Sequence, residues 1–364
     1  MSLLRELLTY AAKNEASDVH LKTFRPPAFR LHGTLKSVGE RALTPEEMGK
    51  LIDDLLPPRL RQVYEHAHEV DLSHAEDGVG RFRVNVFQSH GLHTVAMRHV
   101  KNVIPSFEDL SLPQVLTDLA LVPNGIVLVC GTTGSGKSTT LAALIQHINK
   151  TLNRRIITIE DPIEYIFDDE ESIISQREIG LDTLSFHSAL KSVLRQDPDV
   201  ILIGEMRDSE TFTAALAAAE TGHLFFSTLH TSTASQSLSR VLDFFPAAEA
   251  QMIRMSLAAN LRAVVCQRLM PAIQGGVVPA VEIMINTPTV KKLIEKNNLE
   301  MLSAAIETGT DDGMQSFGQC IYQLIRNGLI TEEDGLMRTD NPEALKMNLK
   351  GIFLNESRRI LTST

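Results

Sequence analysis

The eight residues Gly131-Thr132-Thr133-Gly134-Ser135-Gly136-Lys137-Ser138 constrain this chain more than any other stretch. They fit the phosphate-binding pattern Gly-x4-Gly-Lys-Ser/Thr, which carries meaning where it joins a strand to a helix. Just before it, Ile126-Val127-Leu128-Val129-Cys130 is a short, β-branched apolar run between Gly125 and Gly131, the signature of a buried parallel strand. After it, Leu141, Leu144, Ile145 and Ile148 fall at i, i+3, i+4 and i+7, the apolar stripe of a helix. The glycines let backbone N–H groups turn inward around phosphates, and the helix N-terminus adds unpaired donors and partial positive charge. Lys137 is expected at the β- and γ-phosphates of a nucleotide and Ser138 on Mg²⁺.

The rest of the chain divides around this loop. At 364 residues it exceeds one ordinary domain. From the start, Leu3, Leu4, Leu7, Leu8 and Ala11 make an amphipathic helix, and strand candidates follow at 17–21, 28–31 and 34–38. Thr44-Pro45-Glu46-Glu47 has capping-box spacing with Pro at N1, predicting a helix that Pro57-Pro58 stops near Leu56. A short helix to about His66 and alternating runs at 70–73, 80–88 and 92–98 complete an α+β unit over 1–101 with antiparallel strands. Pro105, Pro113 and Pro123 punctuate an ordered linker, 102–123, with a short helix at 115–120.

From residue 124 onward strands and helices alternate: strands at 156–160, 200–204 and 224–228, helices at 185–194 and 209–221. This is an α/β pattern, a parallel sheet covered on both faces. Helices are expected at 233–244 and 247–261, strands at 264–269 and 277–285, and helices at 290–296, 314–326 and 342–351.

Charge and composition remove some partners. A net charge of -10 weakens any proposal of non-specific nucleic-acid binding, and nucleic acid is not among the expected partners. Cys130, Cys266 and Cys320 are far apart and odd in number, which indicates neither a disulfide framework nor a cysteine zinc site and fits a reducing cytosol. No run of eighteen apolar residues occurs, so no integral membrane segment is expected, and membrane association would be peripheral or through partners.

Ligands of open α/β sheets bind beyond the carboxyl ends of the strands, and the residues there agree with one another. The second strand ends in Glu160-Asp161-Pro162-Ile163-Glu164, the third in Gly204-Glu205 and the fourth in Ser227-Thr228-Leu229-His230. A hard cation on phosphate needs oxygen ligands, which assigns Glu205 to the metal beside Ser138. Alone, Glu160, Asp161 and Glu164 read as a solvated acidic turn. Beside a phosphate loop, a second carboxylate that orients the attacking water is the better reading, and Glu164 takes that role because Pro162 ends the strand and directs the chain across the site. His230, at the phosphate end of its strand, is expected to sense the γ-phosphate. His223, at the other end, is better placed to pack or touch a neighbour. For His66, His68, His90, His93 and His99 a structural role outweighs a metal site.

Four stretches in order now resemble the Walker A, Asp box, Walker B and His box of secretion ATPases: the phosphate loop, Ile159 through Glu164, Arg195 through Arg207, and Ala219-Glu220-Thr221-Gly222-His223 through Leu229-His230-Thr231. Ala16 through Leu21 and Gly80 through Phe87 resemble the PAS-like N-terminal domain of type IV pilus retraction ATPases, the PilT and PilU proteins. The resemblance covers nearly the whole chain. It implies a RecA-like P-loop ATPase domain, 124–364 with C-terminal helices, behind a smaller PAS-like α+β domain. It also implies a cytoplasmic homo-hexamer that hydrolyses ATP with Mg²⁺ at subunit interfaces and drives pilus disassembly at an inner-membrane platform protein. The Asp-box glutamate matching Glu164 is then the general base, and the Walker B glutamate matching Glu205 serves Mg²⁺. Thr139, Glu160, Asp161, Arg207 and His223 join the phosphate loop as nucleotide-binding positions.

Arg81 and Arg83 lie on one face of a strand whose Phe82, Val84 and Val86 face the other way. Two arginines alone suggest a solvated face; the resemblance implies that they meet phosphate charge in the same or the adjacent subunit. The family's assembly and type II secretion relatives usually carry a four-cysteine zinc element and a longer N-terminal region, which this chain lacks. The PilT-type motif Ala-Ile-Arg-Asn-Leu-Ile-Arg-Glu is replaced by Thr289-Val290-Lys291-Lys292-Leu293-Ile294-Glu295-Lys296, leaving open a principal or an accessory retraction motor. An assembly or type II secretion ATPase and a RecA-like nucleic-acid motor are the alternatives.

Overall fold

A computed structural model describes residues 2–31, 33–100 and 103–352. Two compact units result. The first comprises the N-terminal residues to Val103 together with Pro162–Phe167 and Gly180–Asp182; the second comprises Ile104–Asp161, Asp168–Ile179 and the chain from Thr183. The boundary expected at residue 101 lies outside the described residues.

In the first unit the order is α1 (Leu3–Lys13), β1 (Asp18–Lys22), β2 (Ala28–Leu31), β3 (Thr34–Ser37), α2 (Pro45–Leu55), α3 (Pro58–Ala67), β4 (Glu69–Glu76), β5 (Gly80–Ser89) and β6 (Leu92–Val100). The strands form one antiparallel sheet in the order β3-β2-β1-β6-β5-β4. Thr44 and Glu47 cap α2 reciprocally, as their spacing predicts, with Pro45 at N1. Alternation puts Val19, Leu21, Phe29, Phe82, Val84, Val86, Val95 and Met97 into one core with Leu4, Leu8, Met48, Leu51 and Ile52 of the helices. His93 is bound to the Tyr64 hydroxyl at 2.7 Å and His99 stacks on Phe82, both structural roles.

The second unit runs α4 (Val115–Ala120), β7 (Gly125–Cys130), α5 (Lys137–Thr151), β8 (Arg155–Glu160), β9 (Ile173–Glu178), α6 (Phe186–Val193), β10 (Val200–Ile203), α7 (Ser209–Glu220), β11 (Leu224–Leu229), α8 (Ala234–Leu242), α9 (Ala250–Asn260), β12 (Leu261–Pro271) and β13 (Val277–Ile285). It continues with α10 (Pro288–Glu295), α11 (Leu302–Thr308), α12 (Phe317–Arg326), α13 (Glu332–Arg338) and α14 (Pro342–Leu349). Its sheet has the order β13-β12-β7-β11-β10-β8-β9, parallel except for the β12–β13 hairpin. The chain moves one way across the sheet through α5 and back through α6 and α7. With right-handed crossovers these helices cover opposite faces. Every residue of β7, β10 and β11 is accordingly buried.

Three elements escape the sequence pattern: β9, α11 and α13. Ile173-Ile174-Ser175-Gln176-Arg177-Glu178 carries two apolar residues behind an acidic run, and as an edge strand it needs no buried periodicity. The short helices α11 and α13, of seven residues each, offer at most two turns of pattern.

Candidate functional site

The phosphate loop takes its shape from three glycines with left-sided φ: Gly131 at 150°, Gly134 at 78° and Gly136 at 88°. Two also stand where no Cβ fits. At Gly131 a Cβ would lie 2.6 Å from the Gln267 carbonyl oxygen, and at Gly136 it would lie 2.7 Å from the Gln267 side-chain amide. Gly134 instead faces open space. Gln267, buried on β12, therefore braces the loop from behind, and its Oε1 accepts a 2.7 Å bond from Thr140 Oγ1 of α5.

Lys137 opens α5 with 8% of its surface exposed, its Nζ donating to Gly131 O at 2.7 Å and Thr132 O at 3.0 Å. Gly136 caps α5 without a side-chain hydrogen bond, so no side chain competes for the first-turn amides. Ser135 Oγ is buried without a hydrogen-bond partner. An orphaned hydroxyl, uncapped amides and a lysine in one turn suit an anionic phosphate chain. The loop opens onto a cavity of about 350 Å³ lined by Gly131, Thr132, Thr133, Gly134 and Ser135 on one side and by Ser232, Gln267, Arg268 and Leu269 on the other. Ser138 and Thr139 follow Lys137, half-buried on the first turn of α5.

Hydrogen bonds knit the neighbouring strand ends. Gly204 N–H donates to Ile159 O, Thr228 Oγ1 to Gly204 O and Met206 N–H to Thr228 O. Glu205 thus stands between a guanidinium and an imidazole: its Oε2 accepts from Arg207 at 2.7 Å, and its Oε1 lies 3.3 Å from His230 Nε2. Burial pushes the Glu205 carboxyl upward, but the Arg207 bond and charge with His230 outweigh it and hold the pKa below the usual carboxylate range. Arg207 is raised in turn, by Glu205 and by the nearby charge of Asp161. Glu160 Oε1 accepts from Thr158 Oγ1 at 2.7 Å and Gln176 Nε2 at 3.3 Å, which ties β8 to β9. An ionised carboxylate and a serine hydroxyl are oxygen donors of the kind a hard cation takes.

The second unit therefore contains Lys137, Ser138, Glu160, Asp161, Glu205, Arg207 and His230, all at carboxyl ends of the parallel strands. His223 is not with them: β11 runs from Leu224 to Leu229, and parallel pairing sets Leu224 beside Gly125, at the opposite edge from Gly131. Its Nδ1 lies 2.9 Å from Ala218 O, closing the end of α7. His223 is thus far from this chain's own phosphate loop, as its place before the strand leads one to expect, since six residues of strand span about 20 Å. Glu164 is exposed and belongs, with Pro162–Phe167, to the first unit. So do Arg81 and Arg83. Arg81 Nε donates to Ser73 Oγ at 2.8 Å, while exposed Arg83 stands opposite Arg98 on β6. Sequence reasoning missed Ser232, Gln267, Arg268 and Leu269 as cavity residues; two adjacent long polar side chains after the apolar run Ala263 to Cys266 were the available signal.

The family model described as "Type II/IV secretion system protein" matches residues 1–278. The chain is 42% identical over 340 residues to the type IV pilus retractation ATPase PilT of Pseudomonas aeruginosa, covering 93% of this chain and 99% of that one. It is 40% identical to the type IV pilus ATPase PilU of the same organism, over 95% of this chain and 91% of that one. The type II secretion system protein E of Aeromonas hydrophila is 35% identical over 73% of this chain but only 53% of its own length. Among solved structures, the pilus retraction motor PilT with bound ADP superposes with a TM-score of 0.88 at 42% identity, covering 95% of this chain and 99% of that one. The chain belongs to the type II/IV secretion system protein family and is an ATPase of that family.

Proposed function

We infer that this protein is the ATP-hydrolysing motor of type IV pilus retraction. One observation carries the reading: the match to the retraction ATPase PilT extends over 99% of that protein, whereas the type II secretion relative is matched over 53%. As implied by the resemblance, the working form is a cytoplasmic homo-hexamer that acts on an inner-membrane platform protein. Among the described residues no helix is long and apolar enough to cross a membrane.

In the proposed site Lys137 and the amides of the loop hold the β- and γ-phosphates. Ser138 and Glu205 hold Mg²⁺, which when bound neutralises charge on the phosphate oxygens. Glu164 accepts the proton of the attacking water, His230 reads the γ-phosphate from its contact with Glu205, and Arg81 and Arg83 meet phosphate charge in the same or the adjacent subunit. Thr139, Glu160, Asp161 and Arg207 complete the pocket, and His223 meets the nucleotide of a neighbouring subunit.

Deleting the gene and imaging pili tests this reading. Persistent, unretracted pili are the expected outcome; bald cells would instead make this an assembly motor. ATPase activity stimulated by DNA or RNA, with steep salt dependence, would transfer it to the nucleic-acid motors.

A further inference from the structure

Arg268 lines the cavity beside the phosphate loop, yet its guanidinium is held by the C-terminal helices. Nη1 and Nη2 donate to Asp340 Oδ1 and Oδ2 at 3.0 Å each, a bidentate fork. Nη1 also donates to Arg338 O at 3.3 Å, and the guanidinium stacks 4.0 Å from the centre of the Phe317 ring. These partners come from three places: Phe317 opens α12, Arg338 ends α13, and Asp340 lies in the turn before α14. One strand residue gathers all three. Its neighbour Gln267 touches the phosphate loop and α5, so consecutive residues of β12 connect the loop to the C-terminal helices.

We propose that Arg268 is a nucleotide-binding residue exchanged between Asp340 and the phosphates of bound nucleotide, and that this exchange couples the phosphate-loop cavity to α13 and α14. A nucleoside diphosphate or triphosphate brings several negative charges into a cavity that Arg268 lines, and it competes with one carboxylate for one cation. The Asp340 side chain is 68% exposed against 26% for Arg268. Breaking the fork therefore returns Asp340 to water at small cost, while Arg268 gains a phosphate partner. The coupling is reciprocal: whatever nucleotide takes from the helices, the helices take from nucleotide affinity.

This inference rests on reading the cavity as the nucleotide site, and the experiment separates the two. ADP with Mg²⁺ is titrated calorimetrically into the full-length protein. No binding to wild type removes the nucleotide-site reading itself. Given binding, Asp340→Asn should hold ADP about fivefold tighter, because the competing carboxylate is gone, and Arg268→Ala should hold it about fivefold more weakly. In the Arg268→Ala background, Asp340→Asn should change nothing further. A merely structural fork predicts that both single variants weaken binding or leave it alone, and either result for Asp340→Asn overturns the exchange. Amide exchange in wild type gives a readout independent of the variants' folding. ADP should speed exchange across residues 332–349, and unchanged exchange there also overturns the proposal.

Discussion

The two sheets of this molecule place their polar chemistry in opposite ways. In the second unit β7, β10 and β11 are buried from end to end and carry no ionisable group but a cysteine, so their chemistry begins where they stop, with Lys137 beyond β7, Glu205 beyond β10 and His230 beyond β11. Charges within a strand, such as Arg177, Arg268 and Glu282, stand on the outer strands β9, β12 and β13. In the first unit β5 is buried only at alternate positions, so Arg81 and Arg83 sit within the strand, on a face. A doubly covered parallel sheet cannot keep an ion mid-strand without a large desolvation cost, while a half-covered antiparallel sheet can. Chemistry at strand ends is fixed by several converging backbones. Chemistry on a sheet face depends on what that face meets.

The sharpest way to break this comparison is at the strand ends. Lys137→Ala should abolish ATP hydrolysis and strongly weaken nucleotide binding, because a point charge held within the loop at 8% exposure is lost. Normal turnover by the purified variant would remove the loop from catalysis. Glu164→Gln should bind ATP with Mg²⁺ but lose turnover by a hundredfold or more, about 2.7 kcal/mol, since the amide keeps the shape and cannot accept a proton. Wild-type hydrolysis in that variant, together with none in Glu205→Gln, would exchange the two roles.

Next comes the sheet face. Arg81→Ala and Arg83→Ala should each lower kcat about tenfold, roughly 1.4 kcal/mol, with little change in ATP binding, because contacts that tighten as charge develops act on the transition state. Arg83 is the better test, since it is exposed while Arg81 holds Ser73, so its loss disturbs the fold less. Unchanged kcat in both purified variants would return the pair to a solvated face.

The same contrast governs how much could be read from the sequence. Strand ends announce themselves, because an apolar run such as Val200-Ile201-Leu202-Ile203 stops abruptly at Gly204-Glu205 and its register follows from the parallel pairing. The bracing of the loop by Gln267 does not, since it joins residues 127 positions apart through β12, whose neighbour in the sheet is the first strand of the unit. Nor does the orphaned Ser135 hydroxyl, which depends on the loop's closed turn. Strand β9 was illegible because an edge strand with polar residues obeys neither period. His223 shows the converse, for it was legible as a motif residue and lies at the wrong end of its strand for this chain's own phosphates.

The smallest effect sharpens the comparison within the first unit. Asp18, the first residue of β1, accepts from Ser17 Oγ at 2.9 Å and Arg98 Nε at 3.0 Å and lies 3.3 Å from Arg30 Nε. Burial pushes its carboxyl upward, but the Ser17 and Arg98 hydrogen bonds outweigh it and the pKa falls below the usual value. A carboxyl whose folded pKa is depressed contributes stability above its unfolded pKa, near 3.9, and loses it as pH falls through the folded value. Because Arg98 is 70% exposed, water screens the pair and the contribution is about 0.5 kcal/mol. Asp18→Asn should therefore speed amide exchange across β1 and β6 about twofold at neutral pH, after correction for the intrinsic rate, and leave it unchanged at a pH below the folded pKa. A difference that persists equally at both pH values would mean that the asparagine disturbs packing, and the charged face of this sheet would then owe its order to shape, as the strands of the second unit do.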